Sequence, residues 1–419
     1  MAIGKKIFYL LIFNFIIFGF SCTEKIENKN FVLTGADVLL TENLNLIENK
    51  NLGIITNHTA ILKNGIHLVD TLSKLENIKI ATLFSPEHGI RGNLPDGNLI
   101  SDSTDTKTGI PIKSLYGNIH KPTKEYLKNI DLLIFDIQDV GARFYTYIST
   151  MYYAIQSASE NNIPIIILDR PNPINGITVN GPMLDTNFSS FVGITNLPIQ
   201  HGMTIGELAN YFNQPEILKT EKPANLTIIK MKNWKREFYF DDCNLKWINP
   251  SPNIPNLETA VIYPGLCLIE GTNISEGRGT YSPFVLIGSP YINSNEVINE
   301  INKFDVTGLK FKDTTFTPVE IPNMSSNPKY KNEKCNGILI KTTDRNKLNP
   351  IEISIKLIYT FHKLYPEKFS FRESSIDRLW GSNNFRENIL SGKTPNEIIE
   401  LYQTKLNEFK KIRKKYLLY

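Results

Sequence analysis

Leu83-Phe84-Ser85-Pro86-Glu87-His88-Gly89-Ile90-Arg91-Gly92 decides how this chain is read. An apolar, strand-like run from Ile78 to Phe84 stops at Ser-Pro. A carboxylate, an imidazole and a guanidinium then follow within five residues, between glycines. Proline ends a strand, and glycine permits the tight turns after it. Charged groups presented at the carboxyl end of a strand belong to an open α/β sheet, where ligands bind along that edge. Taken alone the stretch also fits a polar loop with an internal salt bridge. The recurrence of the same pattern elsewhere in the chain favours a functional edge.

Three other apolar runs behave alike: Asn51 to Ala60, Asp131 to Asp136 and Pro164 to Asp169. Continuous apolar runs of four to six residues suit strands buried on both faces of a parallel sheet. They end in Thr56-Asn57-His58, Asp136-Ile137-Gln138-Asp139 and Asp169-Arg170-Pro171-Asn172-Pro173. Helical patterns lie between them, a short one over Thr123 to Lys128 and a clearer one over Thr150 to Asn161, with Met151, Ala154, Ile155 and Ala158 on one face. Strands alternating with helices predict a doubly wound α/β domain whose strand ends share one rim. The four endings are therefore expected to deliver carboxylates (Glu87, Asp136, Asp139, Asp169), the imidazoles of His58 and His88, and Arg170 to that rim, with Asn57 and Arg91 beside them.

The third ending continues as Asp139-Val140-Gly141-Ala142-Arg143-Phe144-Tyr145-Thr146-Tyr147. Aromatic rings beside Arg and Asp provide flat faces and bidentate groups suited to a sugar, although some of these rings are expected to pack the following helix. In Gln200-His201-Gly202-Met203-Thr204-Ile205-Gly206-Glu207, Thr204 and Glu207 form a capping box, which gives Glu207 a structural role. His201 reads equally as a site residue or a satisfied loop histidine. Trp247 to Pro255 is a loop made rigid by three prolines, and it carries Asn253. Tyr263 to Thr280, dense in Gly, Asn, Glu and Arg, reads as a functional loop with Glu270, Asn273, Glu276 and Arg278 as candidates.

The flanks differ in texture. Lys5 and Lys6 precede an apolar run, Ile7 to Phe20, and then Gly19-Phe20-Ser21-Cys22. This predicts an export signal over residues 1–22, with Cys22 in the position of a lipidated cysteine and Gly19 where an aliphatic residue is usual. Residues 23–30 read as a polar tether. The catalytic α/β domain is expected over 31–285 and a smaller α+β domain over 286–419. That second domain has strands at Phe311 to Val319 and Gly337 to Thr342, and a helix at Ile351 to Leu364. A last helix opens at the capping box Thr394-Pro395-Asn396-Glu397 and runs to about Lys415, with Ile398, Leu401, Leu406, Phe409 and Ile412 inward.

Formal charge is +4, falling to about +2 without the two signal lysines, which points to no nucleic-acid partner. Cys243, Cys267 and Cys335 show no metal-ligand spacing and are expected as buried thiols. The chain has no Gly-x-Gly-x-x-Gly after the first strand, no His-Glu-x-x-His and no Gly-x-Ser-x-Gly. A nucleotide cofactor, a zincin-type metal and a serine nucleophile are therefore unsupported. Ser326-Asn327-Pro328-Lys329 matches Ser-x-x-Lys by chance.

Together, Ile-Thr-Asn-His, Ser-Pro-Glu-His-Gly-Ile-Arg-Gly, Phe-Asp-Ile-Gln-Asp-Val-Gly-Ala-Arg-Phe-Tyr-Thr-Tyr, Leu-Asp-Arg-Pro-Asn-Pro, His-Gly-Met-Thr-Ile-Gly-Glu, Pro-Ser-Pro-Asn-Ile-Pro and Glu-Gly-Thr-Asn-Ile-Ser-Glu-Gly-Arg-Gly-Thr resemble the NamZ-type exo-β-N-acetylmuramidases. The resemblance runs from about Gly35 to Tyr419. It implies a Rossmann-like N-terminal domain, a smaller C-terminal domain, and release of N-acetylmuramic acid from the non-reducing ends of peptidoglycan chains. It also implies Glu87 as the leading catalytic carboxylate.

Glycoside cleavage usually takes two carboxyl groups. Glu87 is expected as the acid, with His88 or His58 tuning its proton. Glu276, Asp139 and Asp136, in that order, are candidates for the second carboxylate. Substrate assistance by the N-acetyl group is the alternative. Arg91, Arg143 or Arg278 would hold the lactyl carboxylate, since a guanidinium matches a carboxylate bidentately. Tyr145, His201, Asn253 and Asn273 complete the expected sugar site. The expected protein is a lipid-anchored envelope enzyme acting on peptidoglycan-derived sugars without cofactor or metal. The competing expectation is a surface lipoprotein that binds glycans without cleaving them.

Overall fold

Alternate residues of the central strands point to opposite faces, and both faces are buried. Ile54, Leu83, Leu132, Ile134, Ile166 and Leu168 enter one core with the helix Gly35–Glu42 and the short helix Leu68–Leu72. Ile55, Phe84, Leu133, Phe135, Ile165 and Ile167 enter the other, with the helices Tyr147–Asn161 and Ile205–Phe212. The period of two in a strand makes one run serve two layers. Truncating a fully buried side chain such as Phe135 to alanine would cost about 3–5 kcal/mol.

The structure is a computed structural model that describes residues 31–87, 89–92 and 102–419. His88, Cys22, the expected signal and the expected tether lie outside the described residues. The main sheet contains β1 (Asn51–Thr56), β2 (Lys79–Ser85), β3 (Ser103–Thr104), β4 (Pro111–Ser114), β5 (Leu132–Asp136), β6 (Ile165–Leu168) and, after a β7 (Asn180–Met183) and β8 (Pro198–Gln200) hairpin, β9 (Leu226–Ile229). Their order is β3-β4-β2-β1-β5-β6-β9. All neighbours are parallel except β3 with β4. The chain moves from β1 toward β2 on one side and returns to β5 on the other, so the carboxyl ends of all the parallel strands share one rim, as expected. A second sheet, β10 (Leu286–Ser289), β11 (Leu309–Phe316) and β12 (Cys335–Thr342), is antiparallel in the order β10-β12-β11. The fold is therefore a mostly parallel α/β sheet followed by a smaller sheet-and-helix region. The core that holds Ile55, Phe84 and Phe135 runs without interruption into the helix Pro350–Leu364 of the second region.

Three expected elements differ. Thr123 to Lys128 forms turns rather than a helix: Leu127 N–H reaches Thr123 O, but Asn129 turns left-handed (φ 69°) and ends the turn before a second can form. A nucleus that short is not self-sustaining. Tyr263 to Gly271 is no loop. It completes the helix Leu257–Leu266 and a 3₁₀ turn, Cys267–Gly271. The helix keeps Pro264 inside because tertiary packing holds it: a Cβ on Gly265 would stand 1.8 Å from Pro350 O. The last helix breaks at Tyr402 into Pro395–Leu401 and Gln403–Arg413, which leaves Leu401 and Ile412 largely exposed while Ile398, Leu406 and Phe409 are buried. Both capping boxes form. Cys243, Cys267 and Cys335 are buried free thiols.

Candidate active site

Glu87 stands two residues beyond β2, half-buried. Its parallel neighbour β4 pairs Ser114 with Ser85, so the chain leaving β4 emerges beside the chain leaving β2. That register brings Tyr116 to Glu87, and the Tyr116 hydroxyl donates to Glu87 Oε1 at 2.8 Å. Tyr116 is in turn seated by Ser114 Oγ, which accepts its N–H at 3.2 Å.

Glu87 forms part of the wall of a cavity of about 200 Å³. The loop after β5 contributes Phe144 and Tyr145, and the start of the next helix contributes Tyr147. The Tyr145 and Tyr147 rings meet edge to face at 4.9 Å. Tyr147 donates its hydroxyl to Pro250 O at 2.8 Å, which ties this wall to the proline-rigid loop. That loop supplies Ser251 and Asn253, and Asn253 Nδ2 donates to Met324 O at 2.9 Å.

The facing wall comes from 263–284, with Tyr263, Cys267, Glu270, Arg278 and Phe284. Arg278 Nε donates to Glu270 Oε1 at 2.9 Å, and its guanidinium lies 5.4 Å over the Phe284 ring. Phe284 itself is left-handed (φ 64°), a strained conformation for a bulky residue that costs on the order of 1–3 kcal/mol. Its N–H bond to Glu276 O at 2.7 Å holds it there. Gly277 (φ +82°) must be glycine for a second reason, since a Cβ would meet Leu286 O at 2.3 Å. Burial and the Glu270 carboxylate push the Cys267 thiol well up, so it is neutral here. Among the described residues no His, Cys, Asp and Glu cluster has the makings of a metal site.

Of the residues singled out by sequence, Glu87, Phe144, Tyr145, Tyr147, Asn253, Glu270 and Arg278 line this cavity, and others are placed elsewhere. Glu276 is buried and ion-paired with Lys329 Nζ at 2.9 Å. Lys329 also donates to the carbonyls of Ile269, Glu270 and Ile274, so it braces the whole loop. Asp136 is fully buried against Arg170, at 2.5 and 3.0 Å. Asp139 Oδ2 accepts from Gly141 N–H and lies 3.7 Å from His201 Nε2, both side chains buried. His201 Nδ1 accepts from Met203 N–H, which makes it a loop histidine.

The guanidinium of Arg143 is spent on four carbonyls, Pro182 and Leu197 on one side and Leu379 and Trp380 on the other. Burial pulls its pKa down to about 9, still charged at neutral pH. It is a strut between the β5 loop and the C-terminal region. Arg91 pairs with Asp105 and Asp70. Asn57 Oδ1 is occupied by Thr59, His58 Nε2 meets Asn249 O at 2.8 Å, and Asn273 ties Lys368 and Ser370 to its loop.

Tyr116, Tyr263 and Cys267 were missed. Tyr116 follows a four-residue strand too short to mark itself in the sequence. Tyr263 and Cys267 face the cavity only because their segment is helical. A larger hollow of about 340 Å³ lies between the β7–β8 hairpin and the C-terminal helices, but no strand-end motif reaches it.

Comparison with known proteins shows the family of the chain. The family model described as exo-beta-N-acetylmuramidase NamZ, N-terminal, matches residues 52–258, and its C-terminal counterpart matches residues 261–419. The peptidoglycan beta-N-acetylmuramidase NamZ of Bacillus subtilis (strain 168) is 45% identical over 392 residues, 93% of this chain and 92% of the relative. Two crystal structures of DUF1343 family proteins from Bacteroides fragilis NCTC 9343 superpose with TM-scores of 0.85 and 0.75, at 33% and 36% identity. Each covers 93% of this chain and 99% of its own.

Proposed function

The chain belongs to the NamZ exo-β-N-acetylmuramidase family, and from that premise we propose that it releases N-acetylmuramic acid from the non-reducing ends of peptidoglycan fragments. It is a glycoside hydrolase of cell-wall turnover. The observation that carries the reading is Glu87, a half-buried carboxyl group that accepts from Tyr116 in the wall of a cavity it shares with five aromatic rings, Arg278 and Glu270.

In this reading the terminal sugar enters the cavity and its faces pack on Tyr145 and Tyr147. Glu87 gives its proton to the glycosidic oxygen as the bond to C1 breaks. Tyr116 fixes the rotamer of that carboxyl group. Of the three arginines weighed for the lactyl carboxylate, Arg278 is the one in the cavity wall, and it is the residue we assign to that task.

The test is hydrolysis of MurNAc–GlcNAc, products identified by mass, by wild type and Glu87→Gln side by side. Wild type is expected to release both sugars. The variant is expected to fold normally and lose roughly 10³-fold or more in turnover. Near-normal turnover in Glu87→Gln would remove the acid assignment, and binding without release by wild type would favour a glycan-binding protein.

We also infer export and lipid anchoring at Cys22. The support is the charged, then apolar, then small-residue order of residues 5–22. Cells fed labelled palmitate should label the wild-type protein and not Cys22→Ser; unlabelled wild type would dismiss the anchor.

A further inference from the structure

We propose that Glu270 is the second carboxyl group of the reaction, acting on the face of the sugar opposite the departing oxygen. The inference rests on the glycosidase reading above. Among the described residues, Glu87 and Glu270 are the acidic side chains in the wall of the cavity. The carboxylates that the sequence favoured are committed elsewhere: Glu276 to Lys329, Asp136 to Arg170, and Asp139 to the Gly141 N–H.

Local geometry explains why Glu270 and not Glu276 reaches the cavity. Cys267–Gly271 is a 3₁₀ turn, in which residues three apart eclipse one another. Cys267 and Glu270 therefore face the same way, and both line the cavity. Lys329 holds the Glu270 carbonyl from behind while it neutralises Glu276, so the same lysine that removes one glutamate from the site fixes the backbone of the other. On the cavity side, Arg278 grips Oε1 through Nε at 2.9 Å, and Oε2 has the weak donor Cys267 Sγ at 3.8 Å. One oxygen is thus anchored and the other is left facing a poor competitor.

The step balances without any further reagent. The electron pair of the C1–O bond leaves with the aglycone oxygen, which takes the proton of Glu87. C1 gains its new bond from a Glu270 oxygen, or from a water whose proton Glu270 accepts. In the first route water later cleaves the ester and returns a proton to Glu87; in the second Glu270 releases its proton to solvent and Glu87 takes one back from it.

The experiment measures MurNAc–GlcNAc hydrolysis by wild type, Glu87→Gln, Glu270→Gln, Glu270→Ala and Glu270→Ser, with melting temperatures, and repeats the two small variants with added sodium azide. Expected are a fall in kcat of roughly 10³-fold for Glu270→Gln with KM changed only a few-fold, and azide-restored turnover in Glu270→Ala or Glu270→Ser. Azide attacking from the vacated side must give the α-glycosyl azide, identified by its proton coupling. A structural role for Glu270 would not produce that compound. Glu270→Gln with more than a tenth of wild-type kcat, or well-folded small variants that azide neither rescues nor converts to the α product, would overturn the proposal. If wild type itself releases nothing, it is the glycosidase reading that fails. If wild type is active and Glu87→Gln is not, the Glu270 arms decide this inference alone.

Discussion

The ends of β2 and β6 each carry a carboxylate to the same rim, yet they finish in opposite situations. Glu87 is half-exposed in the wall of a cavity, and the Tyr116 hydroxyl donates to it. Asp169 is fully buried. Its Oδ2 accepts from the Tyr419 and Thr204 hydroxyls, and its Oδ1 from the N–H groups of Gly206 and Arg170. Burial, with the Glu207 carboxylate nearby, raises its pKa from 3.8 to about 7 against the pull of those donors. The same strand-end pattern therefore leaves a half-exposed carboxylate in a cavity wall where the rim is open and makes a sealed polar core where the C-terminal segment and the Thr204 helix cap cover it.

The contrast breaks most sharply if the two carboxylates are exchanged in importance. Glu87→Gln should abolish activity without moving the melting temperature by more than a few degrees. Asp169→Ala should do the reverse, because four donors lose their acceptor in a buried site. A loss of about 3 kcal/mol or more in urea unfolding is expected, with kcat per folded molecule unchanged. An Asp169→Ala enzyme of normal stability and low kcat would mean that this end of the rim also serves the reaction.

A smaller effect sharpens the same contrast through pH. The folded state holds the Asp169 proton up to about pH 7, whereas the unfolded chain releases it near 3.8. Between those values the folded state binds more protons, so this group's contribution to stability is present below pH 4 and is lost as pH rises toward 7. Asp169→Asn should flatten that segment of the curve, so unfolding midpoints at pH 5 and pH 7.5 should differ less in the variant than in wild type. An unchanged difference would show that Asp169 does not titrate there. The smallest effect belongs to Tyr116→Phe, which removes one donor from Glu87 while keeping the ring. About a tenfold fall in kcat, roughly 1.4 kcal/mol, is expected, and no change at all would relieve Tyr116 of its orienting role.

The site was legible in part, and the reason differs by residue. Glu87 was visible because a Pro-stopped apolar run advertises a strand end. Arg278 was visible because glycines flank it. Arg143 sat beside three aromatic residues and read as a sugar ligand, but its partners Leu379 and Trp380 lie more than 230 positions away. No local pattern can show that a guanidinium will meet four carbonyls. Glu270, in the 3₁₀ turn, and Glu276, in the loop after it, are six positions apart, and only the arrival of Lys329 behind them assigns one inward and the other to the cavity.

The sequence by itself determined the parallel sheet, its common rim, both helix caps and the family, because each is written in local periodicity, in Gly and Pro, or in the order of short motifs. Tertiary structure decided which strand end stays open. That outcome depends on what packs over each end: Tyr419 over β6, and the 263–284 wall and proline-rigid loop around Glu87. Such contacts are made by segments far apart in the chain, and a carboxylate's chemistry follows from the water and donors they leave it, not from its neighbours in sequence.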